Sequence, residues 1–89
     1  EVRIPAMLRR LTGEARAVKV SGGTIGEVIN NLDSLHAGIR NELLAGDGSI
    51  HRFVNIYLND EDIRFLSGLD TPIGDGDTVS ILPAVAGGF

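Results

Sequence analysis

Few side chains in this sequence are suited to making or breaking bonds. Cysteine is absent, which removes disulfides, thiolate metal sites and a cysteine nucleophile together, so any sulfur chemistry must use sulfur from outside the side chains. The only histidines, His36 and His51, have no second ligand at metal-like spacing and lie near no nucleophile motif such as G-x-S-x-G. Asp60, Glu61, Asp62, Asp75 and Asp77 lack the calcium-loop pattern and read as solvated turn acids. Ser21-Gly22-Gly23-Thr24-Ile25-Gly26 is spaced as neither G-x-G-x-x-G nor a P-loop, so it reads as a turn and a helix cap. The C-terminus is different. Ala84-Val85-Ala86-Gly87-Gly88-Phe89 is uncharged, small and apolar, and it follows Pro83. Extended at ~3.3 Å per residue it reaches about 20 Å, the shape of a probe for a deep slot in another protein. Gly87 and Gly88 take Cβ away from both flanks of one carbonyl, which leaves room for a nucleotide phosphate and then for a nucleophile. With 12 glycines in 89 residues the pair alone is weak. Its place after a strand and a proline strengthens it against the alternative of a frayed terminus.

The elements that position this tail are legible from hydrophobic period. Val2 to Leu8 and Ala15 to Val20 read as half-buried strands joined by a short turn at Arg9 to Gly13, hence antiparallel neighbours. Thr24-Ile25-Gly26-Glu27 fits a capping box, and Ile25, Val28, Ile29 and Leu32 then fall on one face of an amphipathic helix. Ile39 to Leu44 reads as a short helix. Phe53 to Leu58 alternates as the strongest strand, with Val54, Ile56 and Leu58 on one side and Phe53, Asn55 and Tyr57 on the other. Ile63-Arg64-Phe65 reads as a short return strand, and Gly74-Asp75-Gly76 as a tight turn. Thr78 to Leu82 is the last strand, ended by Pro83, with Val79 and Ile81 inward. The order predicts an α+β fold of β-grasp (ubiquitin-like) type: a mixed sheet of four to five strands packed on one main helix, with the first and last strands central. The expected organisation is one domain over 1–83 and a flexible C-terminal tail over 84–89. A net charge of −4 argues against nucleic-acid or anionic-membrane partners, and no apolar run is long enough to span a bilayer.

Gly74-Asp75-Gly76-Asp77-Thr78-Val79-Ser80-Ile81-Leu82-Pro83-Ala84-Val85-Ala86-Gly87-Gly88 resembles the D-G-D, final strand and P-x-V-x-G-G ending of the ubiquitin-like bacterial sulfur carriers. That family includes the thiamine-biosynthesis carrier and the small subunit of molybdopterin synthase. The likeness runs from Val2 to Gly88, and His51 to Phe65 is most similar to the actinobacterial cysteine-biosynthesis branch. The resemblance implies a cytoplasmic carrier rather than an enzyme, holding no cofactor itself. An E1-like partner would use MgATP to adenylate the Gly88 carboxylate, which a sulfur donor would convert to a thiocarboxylate. A sulfur-accepting enzyme, a pyridoxal-phosphate-dependent cysteine synthase in that branch, would take the sulfur, and a JAMM-type zinc metalloprotease would release the product. Molybdopterin synthase small subunit and a β-grasp interaction module with an inert tail are the alternatives. The chain departs from the pattern at Phe89, which makes a form needing cleavage after Gly88 if the residue is native. Phe53, Tyr57, Leu82, Pro83, Ala84, Val85 and Ala86 are the expected partner-binding residues, with Arg52 and Arg64 as rim cations.

Overall fold

The computed structural model describes residues 1–84; the expectations for Val85, Ala86, Gly87, Gly88 and Phe89 lie outside the described residues. In chain order the regular elements are β1 (Val2–Arg3), β2 (Ala17–Val18), α1 (Ile25–Leu35), α2 (Ile39–Leu43), β3 (Val54–Leu58), β4 (Glu61–Asp62) and β5 (Val79–Pro83). The strands form one five-stranded sheet in the order β2-β1-β5-β3-β4. β1 lies parallel to β5, with Val2 beside Val79, and antiparallel to β2, while β3 runs antiparallel to both of its neighbours. A parallel pair needs a long crossover, and the helical middle of the chain supplies it. This is the β-grasp arrangement that the element order predicts.

The core follows the two periods. Ile25, Val28, Ile29 and Leu32 of α1 are buried together with Val54 and Ile56 of β3 and Val79 and Ile81 of β5, and Ile39 and Leu43 of α2 complete the same cluster. The Thr24 hydroxyl accepts from the Glu27 amide at 3.2 Å, as a capping box requires. The reciprocal bond is displaced by one residue: Glu27 Oε1 accepts from the Gly23 amide at 2.8 Å rather than from Thr24. Gly22 sits so close to the helix that a Cβ there would come within 2.9 Å of the Val28 amide nitrogen.

Two segments depart from the sequence expectation. The first strand stops at Arg3, and Ala6–Thr12 forms a 3-10 helix instead of the end of a strand followed by a turn. Pro5 has no amide to give a ladder, and three residues per turn put Leu8 and Leu11 on the core side. Ile63–Phe65 is likewise a 3-10 helix, not a return strand; pairing there is confined to Glu61–Asp62. Asp62 Oδ1 takes the Arg64 amide at 2.9 Å, a side-chain bond that competes with continued pairing, and Ile63 turns fully into the core.

Candidate functional site

The last strand carries the chain toward Gly87 and Gly88, so its end determines where the tail begins. The Asn59 amide donates to the Thr78 carbonyl at 2.7 Å and the Ala84 amide to the Phe53 carbonyl at 2.9 Å. Hydrogen-bonded pairs alternate in an antiparallel ladder, so Val54 and Pro83 form a non-bonded pair and the Pro83 nitrogen faces away from β3. On that other side β1 has already ended, its Arg3 paired with Ser80. A proline therefore fits at the end of a central strand without leaving a ladder acceptor empty. The sequence places Pro83 just after the strand; it is the strand's last residue, and Ala84 still holds a ladder bond.

Pairing also fixes what shares a face. Phe53, Asn55 and Tyr57 alternate away from the core, Leu82 lies opposite Asn55, and Ser80 lies opposite Tyr57. Phe53 is 58% and Leu82 46% exposed, and Tyr57 is half-buried, so the α2 region does not cover the aromatic residue next to the tail root. The structure thus brings Phe53, Leu82 and Ala84 together at the end of the sheet, with Tyr57 further along the same face and Pro83 on the opposite one. Around Phe53 the chain builds a small platform. The His51 imidazole stacks on the ring at 5.0 Å, and the Arg52 guanidinium lies 5.2 Å from its centroid. Sequence reasoning missed the histidine's part: the stacking depends on a turn in which the Val54 amide donates to the His51 carbonyl at 3.0 Å, and the expected strand beginning at Phe53 gave no sign of it.

Arg64 behaves otherwise than expected of a rim cation. Its guanidinium donates to Asn55 Oδ1 at 2.8 Å and to the Val54 carbonyl at 2.9 Å, with the Asp62 carboxylate 3.9 Å away. The Val54 carbonyl points to the side where β4 no longer runs, so Arg64 substitutes for a missing strand partner. At the opposite end of β5, Asp77 accepts from the Gly74 amide at 2.9 Å and from the Asn59 side-chain amide at 3.4 Å. Those donors hold its carboxyl below the usual value, the Gly74 bond being the larger cause. The Ser49 hydroxyl and amide do the same for Asp47. Among the described residues no cluster of acidic or histidine side chains is arranged to hold a metal ion, and no helix is long and apolar enough to cross a membrane.

Compared with known proteins, the chain is 54% identical to the sulfur carrier protein CysO of Mycobacterium tuberculosis over 89 residues, covering 98% of this chain and 96% of that one. It is 34% identical to a putative sulfur carrier protein of Archaeoglobus fulgidus, covering 99% and 97%. Among solved structures, the crystal structure of the Amycolatopsis orientalis BexX/CysO complex contains a chain that superposes with a TM-score of 0.90 at 49% identity, covering 98% of this chain and 97% of that one. The ThiS family model matches residues 2–88, the whole sheet and helix together with the sequence up to the second terminal glycine, and the chain belongs to the ThiS family.

Proposed function

We propose that this chain is a sulfur carrier, a cosubstrate of partner enzymes and not an enzyme itself, with Gly88 as the loaded residue and cysteine or a related metabolite as the destination of the sulfur. The observation that carries the reading is the 54% identity, over nearly the full length of both chains, to a protein described as a sulfur carrier. The reading is further supported by the sequence after β5, in which Gly88 lies four residues beyond Ala84, the last to hold a ladder bond among the described residues.

The chemistry follows from what a glycine carboxylate lacks. A carboxylate is a poor electrophile, so one of its oxygens attacks the α-phosphorus of MgATP on an activating enzyme and pyrophosphate leaves. Sulfide sulfur then attacks the acyl carbon, and AMP departs with the former carboxylate oxygen. The product is a thiocarboxylate at Gly88. Neither Gly87 nor Gly88 has a Cβ to obstruct these approaches, and the absence of cysteine means that no thiol of the chain competes for the acyl group. Phe89 must be removed first, because Gly88 has no free carboxylate while the peptide bond to Phe89 stands. A zinc metalloprotease suits that hydrolysis, and a pyridoxal-phosphate-dependent synthase suits transfer of the sulfur to an activated serine. The CysO of Amycolatopsis orientalis has been crystallised with BexX, a precedent for a relative seated on a partner protein.

Intact-mass measurement tests the reading. The Gly88-ended chain is incubated with MgATP, a sulfide source and the cognate activating enzyme. The expected result is the mass gain of one oxygen replaced by sulfur, dependent on ATP. An unchanged mass with an enzyme that is active on its own carrier rejects it.

A further inference from the structure

The most exposed large apolar side chain among the described residues is not at the tail root. It is Phe65, 82% exposed, beside Leu66 at 38%. A lone exposed apolar residue is ordinary, but this one is held in place from both sides. Before it, Ile63 is fully buried and Asp62 caps the 3-10 helix through the Arg64 amide. The Arg64 side chain is clamped to Asn55 and to the Val54 carbonyl. After it, the Leu66 amide closes the turn onto the Ile63 carbonyl at 3.0 Å. Phe65 is therefore presented on a fixed turn at the open edge of the sheet. Because Arg64 reaches Val54, the residue paired with Pro83, that turn is tied to the same end of β3 as the tail root. Phe53 and Asn55 share the outer face of β3, Arg64 is bonded to Asn55, and Phe65 is the next residue in the chain.

Charge says what would cover it. Asp60, on the turn before β4, and Glu61, its first residue, are exposed, and no cation bridges either of them among the described residues. Arg52, on the tail-root side, likewise has no carboxylate within bridging distance there. Unbridged acids at this edge call for cations on whatever covers them; self-association that sets Arg52 of one copy against Asp60 and Glu61 of another is the competing occupant, and sedimentation of the carrier alone detects it.

The geometry points to Phe65 as the anchor of a second docking point, filling an apolar socket with a lysine- or arginine-bearing rim on the enzyme that activates the tail. This rests on the sulfur-carrier reading, and it adds a surface that holds the globular domain in register while the tail occupies the slot. The arrangement also gives polarity: a cation at the root and two carboxylates at the far side fit a partner only one way round.

The test is a titration of the cognate activating enzyme with the Gly88-ended carrier and its Phe65→Ser, Phe65→Leu and Asp60→Lys/Glu61→Lys variants, over a series of salt concentrations, with intact-mass detection of product at saturation. Phe65→Ser is expected to weaken binding at least tenfold and to raise KM without lowering kcat, with an unchanged unfolding midpoint. Phe65→Leu should recover most of the affinity, and the double lysine variant should weaken binding and lose salt sensitivity. Wild-type-like affinity for Phe65→Ser overturns the proposal, as does a shifted unfolding midpoint, which would make Phe65 a folding residue. Failure of the wild-type carrier to bind or to be converted overturns the sulfur-carrier reading instead.

Discussion

Phe89 follows the glycine whose carboxylate the proposed chemistry needs, so the first consequence is a difference of one residue. Pyrophosphate exchange catalysed by the activating enzyme is expected to be absent with the full chain and present with the chain ending at Gly88, and equal rates would rule out a processing step. In the shorter chain, Gly88→Ala places a methyl group beside the reacting carbonyl and is expected to abolish sulfur loading in the same assay. At the docking face, Leu82→Ala is expected to weaken binding of the activating enzyme by ~1–2 kcal/mol, the usual range for truncating an interface anchor. Isothermal titration beside circular dichroism reads this directly: Leu82 is 46% exposed, so the spectrum should stay native while the affinity falls. Period-two alternation was enough to find Phe53 and Leu82 on the outer face, because pairing in a ladder leaves a side chain only two directions. It was not enough for Arg64. The fate of that guanidinium depends on β4 ending at Asp62 and exposing the Val54 carbonyl, and nothing in the local sequence records an unpaired acceptor ten residues away.

The same distinction holds for whole elements. α1 was legible because four apolar residues at helical spacing and a Thr24 cap all point one way, and the structure buries those four. The 3-10 segments Ala6–Thr12 and Ile63–Phe65 were not. Each is short, and each is decided by local competition, a proline without an amide at Pro5 and an aspartate bonding its own backbone at Asp62. Apolar residues in such segments look like strand residues when only the period is read. The cap makes α1 testable: Thr24→Ala removes the acceptor for the Glu27 amide and should cost ~1 kcal/mol in urea unfolding. Gly22→Ala should cost more, about 1–3 kcal/mol, because the added Cβ would have to displace helix backbone at Val28 and not merely a side-chain tip. An unfolding midpoint unmoved by Gly22→Ala would show that the turn before α1 shifts freely.

Across the whole molecule β5 divides two environments. Its end meets Phe53, Arg52 and the tail root, and its beginning is a knot of polar bonds that ties three parts of the chain together. Asp77 binds Gly74 and Asn59, the Asn59 side-chain carbonyl oxygen accepts from the Thr78 amide at 3.1 Å, and the Val79 amide donates to the Glu1 carbonyl at 2.8 Å. Gly76 makes the turn possible with a φ of +88°. The first strand, the end of the third and the start of the fifth are thus fastened at the end of β5 opposite Pro83. Since the fold lowers the Asp77 pKa relative to the unfolded chain, the ionised carboxylate is the form the native state prefers. Its contribution is present above the ordinary aspartate pKa of about 4 and is lost as pH falls through the lower native value. Asp47, with its Ser49 donors, adds to stability in the same sense. Stability should therefore decline on acidification below about pH 4, and Asp77→Asn, which has no carboxylate to protonate, should show a shallower decline over that range. Chemical unfolding of both proteins between neutral and acidic pH separates this from general acid repulsion, which the two share. Parallel acid limbs would mean that the Gly74 and Asn59 bonds hold the turn equally well with a neutral side chain, and that the lowered pKa has no weight in keeping the three strands together.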